Sequence, residues 1–171
     1  MSADIIDEPL SNIINSMITN CIFSDTGKVA HVTPIYKKKA RDDKVNYRPV
    51  SVIGSLSKIV ERYVQDTIAE HMDKCLSIFI SAYRKRYSSN HVLIRLIESW
   101  KKHMDNKKFV GAVLMDLSKA FDCVPHDLLI AKMHANGFDL DTLTFFYSYL
   151  KNRKQSVKIN NVLSICLVLL S

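Results

Sequence analysis

The chain has 171 residues, of which 47% are hydrophobic, and this content is enough for one folded domain and argues against intrinsic disorder. Its formal net charge of +7 favours a polyanionic partner, most simply nucleic acid. The acidic start lacks a secretory signal pattern, the four cysteines show no Cys-x-x-Cys spacing, and the apolar tail is too short to span a bilayer. We therefore expect a protein of the nucleus or cytoplasm, not secreted, with reduced thiols and no membrane partner.

The first half of the chain predicts a helix followed by a hairpin. Apolar residues recur at helical spacing over residues 9–22. Residues 28–36 alternate as a strand does, and Pro34 suggests a sheet edge or a strand end. The basic segment 37–44 is typical of a loop or hairpin tip, and a second short strand follows at residues 49–53.

Two longer amphipathic helices are predicted next, at residues 55–74 and 89–104. The first has an apolar stripe opposite its charged residues, formed by Leu56, Ile59, Val60, Tyr63, Val64, Ile68 and Met72. The second has an expected buried face of Val92, Leu93, Leu96, Ile97 and Trp100.

The last third predicts two short helices and a hairpin. One helix spans about residues 127–136 and ends at Gly137, and the other spans about 140–150 with Asp139 as its N-cap. Residues 155–159 alternate again, and Asn160 and Asn161 suit a hairpin turn. No internal repeat or linker is evident, so a single α+β unit is expected.

One apolar run carries the strongest functional signal. Residues 109–115 predict a buried strand, because a buried helix would need to be longer. The run ends on Asp116, which would stand at the sheet edge, where Mg²⁺ can bind a carboxylate together with water and phosphate oxygens. The alternative is that Asp116 only caps the turn after the strand.

Five segments, in order, resemble reverse transcriptases of non-LTR retrotransposons (LINE or jockey-like elements). The segment D-L-S-K-A-F-D-C-V-P-H-D-L-L, at residues 116–129, resembles the first palm motif of that family. The other four segments are V-T-P-I-Y-K-K-K (32–39), N-Y-R-P-V-S (46–51), S-A-Y-R-K-R-Y-S (81–88) and Y-S-Y-L-K-N-R-K-Q-S-V-K-I-N (147–160).

The resemblance implies an α+β fold: the fingers and partial palm of a right-hand polymerase, with helices packed on a small, mostly antiparallel sheet. Residues 10–108 would be fingers-like, 109–161 the start of the palm, and 162–171 a divergent apolar tail of one truncated domain. The family's Gly-x-Pro-Gln-Gly and Tyr-x-Asp-Asp segments are not in this sequence. We therefore expect this chain to be inactive alone.

The resemblance also implies a catalytic centre at the first palm motif. Asp116 would be the catalytic carboxylate and, with the Leu117 carbonyl, would bind Mg²⁺ or Mn²⁺, incompletely liganded here. Two-metal nucleotidyl transfer requires further carboxylates. Phe121 matches the residue beneath the sugar of the nucleotide, where a ring excludes a 2′-hydroxyl. Without the family context, Phe121 would be interpreted as a core residue.

The fingers segments imply a site for the nucleotide triphosphate. Arg48 matches an arginine that meets the triphosphate, and a guanidinium can bind two phosphate oxygens at once. Lys37, Lys38 and Lys39 match a basic tip that closes over it, without an assignment among the three. A lone lysine run would otherwise be interpreted as a solvated loop.

A third segment alternates rings and cations, a pattern typical of single-strand binding. The template-binding residues implied here are Tyr83, Arg84, Lys85 and Tyr87. Two positions depart from the family pattern: Arg86 stands where Gly is usual, and Gly27 stands where a Trp is common.

Three functions stay open at this point. The first is a reverse transcriptase domain that acts on an RNA template, a DNA primer and deoxynucleotide triphosphates. The second is a non-catalytic nucleic-acid-binding remnant. The third is a decayed product that folds poorly.

Overall fold

A computed structural model describes residues 2–38, 40–117, 120, 123–160 and 162–168. Five helices and five strands occur in this part of the chain. In chain order they are α1 (Ser2–Thr19), β1 (Val29–Tyr36), β2 (Tyr47–Val52), α2 (Ser55–Cys75), α3 (Ser89–Asp105), α4 (His126–Ala135), α5 (Leu140–Leu150), β3 (Lys154–Ile159), β4 (Val162–Leu163) and β5 (Leu167–Val168). Short 3₁₀ turns span Asp25–Lys28 and Lys44–Asn46.

Most predicted elements are confirmed to within a few residues, and their ends follow local chemistry. Asp139 caps α5 by accepting a 3.2 Å hydrogen bond from the Thr142 N–H. The Thr142 side chain, and then this backbone N–H, hold the pKa of Asp139 below its usual value. Gly137, just after α4, has a φ of 86°, the left-handed conformation that ends helices. Helix α1 differs, because it starts well before the predicted residue 9 and contains Pro9 in its interior.

The sheet is mixed, with β1 at its centre. β1 pairs antiparallel with β2 and parallel with β3, and both β4 and β5 pair antiparallel with β3. Most of the pairings are thus antiparallel, as the expected α+β fold requires. On one side of β1, Pro34 lies directly opposite Pro49 of β2. On the other side, the pairing of β1 with β3 ends at Val32, so at Pro34 this side of β1 is a sheet edge.

The chain divides into two compact units: residues 1–65 with 121–171, and residues 66–120. These two units are defined by contacts within the chain. The division into fingers and palm parts is based on the family resemblance, and it stays a prediction.

The first unit contains a hydrophobic core. Phe23 is 1% exposed and meets Phe145 and Tyr149 edge to face, at centroid distances of 6.1 and 4.9 Å. Met17 and Val60 complete the buried cluster. Rings in this arrangement add to the stability gained from burial alone. Because the members of the cluster lie on α1, α2 and α5, it packs these three helices together.

Gly27 stands beside this core because there is no room for a side chain. A Cβ at Gly27 would lie 2.7 Å from Ser57 Oγ and 2.9 Å from Phe23 Cε1. Ser57 also donates a 3.1 Å hydrogen bond to the Gly27 carbonyl. The Phe23 ring therefore occupies the space next to Gly27.

The apolar stripe predicted on α2 is only partly covered, and the buried face predicted for α3 is wrong. On α2 only Ser57 and Val60 are buried, whereas Leu56, Ile59 and Tyr63 are exposed. No described residue of α3 is buried. The spacing correctly predicts helices with one apolar side, but periodicity does not say whether another element of the chain covers that side.

Candidate nucleic-acid interface

The β1–β2 hairpin orients the predicted triphosphate-binding residues. Arg48 lies opposite Ile35 in the ladder, and the Lys37 N–H donates a 2.8 Å hydrogen bond to the Asn46 carbonyl, which extends the pairing by one step. Side chains alternate along strands, so Lys37 and Arg48 lie diagonally on one face of the hairpin. Lys38 is exposed in the tip, and Lys39 lies outside the described residues.

This face of the sheet is exposed along β1. Ala30 and Val32 are buried, while His31, Thr33 and Ile35, which point the other way, are exposed. His31 lies opposite Ser156, and its Nδ1 shares a 2.9 Å hydrogen bond with Ser156 Oγ. Ser156 itself is buried, so on β3 this face is exposed only at the positions on either side of it.

Two further lysines on this face were not predicted as site residues. Lys154 and Lys158 lie two positions on either side of Ser156 in β3, and both are exposed. The parallel register with β1 places them on the same face as His31 and Arg48. Alternation in residues 155–159 was visible in the sequence, but the pairing of β3 with a strand about 125 positions earlier was not. We call Lys37, Arg48, Lys154 and Lys158, with His31 among them, the basic face.

The lysines and Arg48 of the basic face make no side-chain hydrogen bond or ion pair within the described part of the chain. Lys28 is different, because it is buried and its Nζ lies 2.8 Å from Asp25 Oδ1. This contact holds the pKa of Asp25 below its usual value. Lys28 therefore serves the fold, and the basic face presents the cations that a polyanion can reach.

The predicted template-binding segment lies in the second unit. Tyr83 is 89% exposed, and Lys85 is exposed and forms a 3.2 Å ion pair with Asp66. Arg84 points inward, where its Nε donates a 2.9 Å hydrogen bond to Asp73 and its guanidinium lies 4.5 Å from the centre of the Tyr87 ring. Three of these four residues, Tyr83, Lys85 and Tyr87, are thus exposed, and the mostly covered Arg84 contacts Tyr87.

The backbone of this segment explains the departure at Arg86. Arg86 has a φ of 67°, in the left-handed region that favours glycine. Arg86 therefore adopts the backbone conformation that a glycine would adopt, and this conformation costs backbone energy for an arginine.

The predicted buried strand at residues 109–115 is wrong for this structure. These residues form no strand, and they are largely exposed, with Leu114 at 91%. No described segment pairs with them, and an apolar run that resembles a core strand is not buried without a partner strand. Asp116 and Leu117 are exposed at the end of this irregular segment, and Phe121 lies outside the described residues.

The residues at Asp116 fit a divalent metal only in part. The Asp116 carboxylate and the Leu117 carbonyl are oxygen ligands of the kind that Mg²⁺ binds. Among the residues that the structure describes, no three His, Cys, Asp or Glu side chains are grouped so as to hold a metal ion. This donor set does not amount to a two-metal centre.

The structure thus brings together Lys37 and Arg48 in one unit and the Tyr83–Tyr87 segment in the other. Asp116 belongs to the second unit. No helix within the described ranges is long and apolar enough to cross a membrane.

Comparison with known proteins identifies the family. Residues 35–169 match the family described as reverse transcriptase (RNA-dependent DNA polymerase). The chain is 30% identical over 159 residues to a probable RNA-directed DNA polymerase from transposon BS of Drosophila melanogaster, covering 91% of this chain and 17% of that protein. It is also 30% identical over 126 residues to the RNA-directed DNA polymerase from mobile element jockey of the same species, covering 72% of this chain and 14% of that protein.

A jockey polymerase from Drosophila funebris is 28% identical over 123 residues, which cover 70% of this chain and 13% of that protein. The chain thus spans between 13% and 17% of the length of these curated relatives. The family match includes four of the five segments in full and lacks only the start of the segment at residues 32–39. The transposon BS alignment covers most of the chain. The chain belongs to the reverse transcriptase (RNA-dependent DNA polymerase) family, of the type carried by non-LTR retrotransposons.

Proposed function

We propose that this chain supplies the fingers part and the first catalytic carboxylate of an RNA-directed DNA polymerase of a mobile element. Its substrates in that role are an RNA template, a DNA primer and deoxynucleotide triphosphates, in the nucleus or cytoplasm. The observation that carries the proposal is the basic face, where Arg48 and three exposed lysines form no ion pair with the residues that the structure describes. Cations arranged in this way bind phosphates and release counterions from nucleic acid.

Within this proposal, residues at the hairpin bind the triphosphate. Arg48 offers a planar guanidinium that can grip two oxygens, and Lys37 and Lys38 add point charges beside it. The template is proposed to contact the Tyr83–Tyr87 segment, where exposed rings can stack on bases. Phe121 is proposed to select deoxynucleotides by excluding a 2′-hydroxyl.

The family uses divalent metal ions, and we propose Mg²⁺, or Mn²⁺ in its place, as the ion that Asp116 and the Leu117 carbonyl help to bind. The ion would supply charge stabilisation at the transferring phosphate. Nucleotidyl transfer requires carboxylates beyond this pair.

Binding of single-stranded RNA at increasing KCl concentration tests the basic face. For single strands the logarithm of the affinity falls with the logarithm of the salt concentration by about 0.7 per phosphate contact. The Lys154→Gln/Lys158→Gln variant should lower that slope by about 1.4. The matched control Lys101→Gln/Lys102→Gln loses the same charge from α3 and should keep the wild-type slope. Equal slopes in all three proteins would contradict the proposal.

A second candidate is a nucleic-acid-binding module without chemistry. The observation that favours it is the exposed position of the segment that carries Asp116, which pairs with no described strand, while the strands of the basic face are paired. Primer extension on an RNA template with Mg²⁺ or Mn²⁺ separates the two. We expect no incorporation by the 171-residue polypeptide, and incorporation that disappears in Asp116→Ala would overturn this candidate.

A further inference from the structure

The connection between α2 and α3, in the unit formed by residues 66–120, contains several polar contacts. None of its described residues is buried, whereas every buried apolar side chain that the structure describes belongs to the other unit. We call residues 76–88, between α2 and α3, the connecting loop. Because no buried cluster fixes this loop, its shape depends on hydrogen bonds and ion pairs.

Two arginines bind the backbone of the connecting loop. Arg84 donates 3.4 Å hydrogen bonds to the carbonyls of Ser77 and Ile80. Arg95, on α3, donates to the carbonyls of Ile78 at 2.9 Å and Phe79 at 3.5 Å. Four consecutive carbonyls are thus satisfied by two guanidinium groups.

Arg84 also ties the loop to α2. Its Nε lies 2.9 Å from Asp73 Oδ1, its side chain is 10% exposed, and the Tyr87 ring lies against its guanidinium. A guanidinium with a carboxylate, two carbonyls and a ring around it is already occupied on most sides. A phosphate could reach it only by displacing Asp73.

The neighbours of Arg84 have the opposite orientation. Tyr83 and Lys85 are exposed on either side of it, Tyr83 with a φ of 61°. The inward contacts of Arg84 therefore determine the backbone course from which both neighbours project.

We propose that Arg84 is a positioning residue whose ion pair with Asp73 holds the connecting loop in the shape that presents Tyr83 and Lys85 to single-stranded nucleic acid. This inference rests on the proposed nucleic-acid-binding function and replaces direct template contact by Arg84. It predicts that the Asp73 carboxylate promotes the binding of a polyanion, although both are negatively charged.

Two carboxylates on α2 provide a matched pair of variants. Asp73→Asn and Asp66→Asn each remove one acidic charge, but Asp73 binds Arg84 and Asp66 binds Lys85. Asp66→Asn should strengthen binding of a fluorescent single-stranded RNA, because Lys85 loses a competing partner. Asp73→Asn should weaken binding by about fivefold or more, since misplaced stacking on Tyr83 costs that much. If Asp73→Asn strengthens binding or leaves it unchanged, the inference is overturned.

Limited trypsin digestion without RNA gives an independent measure of loop shape. Asp73→Asn should speed cleavage after Lys85 and Arg86 relative to both wild type and Asp66→Asn, with cleavage after Lys132 in α4 as the internal reference. Equal cleavage rates in the two variants would overturn the inference, whether or not RNA binds. Failure of the wild-type protein to bind RNA would instead count against the proposed function, and the digestion would still decide the role of Arg84.

Discussion

The Tyr149 hydroxyl donates a 2.6 Å hydrogen bond to Glu61 Oε1, which ties α5 to α2 beside the Phe23 core. Burial, and then the hydrogen bond to Glu61, raise the pKa of Tyr149 above its ordinary value of 10.0. The neutral phenol is therefore favoured in the folded protein. Its contribution to stability is fully present below pH 10.0 and is lost as the pH rises through the higher pKa of the folded state.

Tyr149→Phe should lower the free energy of unfolding at pH 8 by about 1–3 kcal/mol, because the hydrogen bond to a charged group is lost. It should also flatten the decline in stability above pH 10.0. Urea denaturation followed by far-UV circular dichroism at several pH values measures both effects. A variant that declines as steeply as the wild type would show that another group titrates there.

Gly27→Ala should destabilise the first unit by about 1–3 kcal/mol, because the new methyl group requires Phe23 or Ser57 to move. Gly111→Ala is the control, since nothing lies within 4 Å of a Cβ at that position. Equal unfolding free energies for Gly27→Ala and wild type would contradict the close packing described around Phe23.

Arg86→Gly should stabilise the connecting loop by about 0.5–1 kcal/mol, since glycine adopts a positive φ without the penalty that arginine incurs. Lys85→Gly, one residue earlier, has no such strain to relieve and should destabilise by a similar amount. Trp100, the one tryptophan of the chain, lies on α3 in the same unit, so its fluorescence during urea unfolding reports both changes. Stabilisation by both variants would point to an unrelated effect of glycine.

Val113→Lys should reduce self-association of the polypeptide. Val113 is 86% exposed in the unpaired segment, where backbone groups and apolar side chains are both available to a second chain. Ile94→Lys adds the same charge at an exposed apolar position of α3, whose backbone is already hydrogen-bonded within the helix. Light scattering should show roughly half as much associated material for Val113→Lys and little change for Ile94→Lys. An equal fall for both would mean that charge alone matters.

Local chemistry made much of the fold predictable. The Asp139 cap, the end of α4 at Gly137 and the turn at Asn160 each depend on interactions among residues close together in the chain. All three occur where the sequence predicts them. The parallel pairing of β1 with β3 could not be predicted, because it joins His31 to Ser156 across the length of the chain. Of the basic face, the sequence therefore predicted Lys37 and Arg48 but not Lys154 and Lys158.

Burial was the least predictable property. The run at residues 109–115 has the composition of a core strand, but a strand is buried only where other segments pair with it and cover it. The same holds for Leu93 and Ile97 of α3, which have helical spacing and remain exposed. Arg84 shows the reverse case, because a cation in a ring-and-cation pattern points inward to Asp73.

Crosslinking of a single-stranded RNA containing 4-thiouridine, with the modified peptides identified by mass spectrometry, tests most directly whether nucleic acid lies on the basic face. We predict adducts in peptides from β1, β2 and β3 and in the segment around Tyr83, and a marked loss of the sheet adducts in Lys154→Gln/Lys158→Gln. Adducts confined to α1 or α4, unchanged in that variant, would contradict the account.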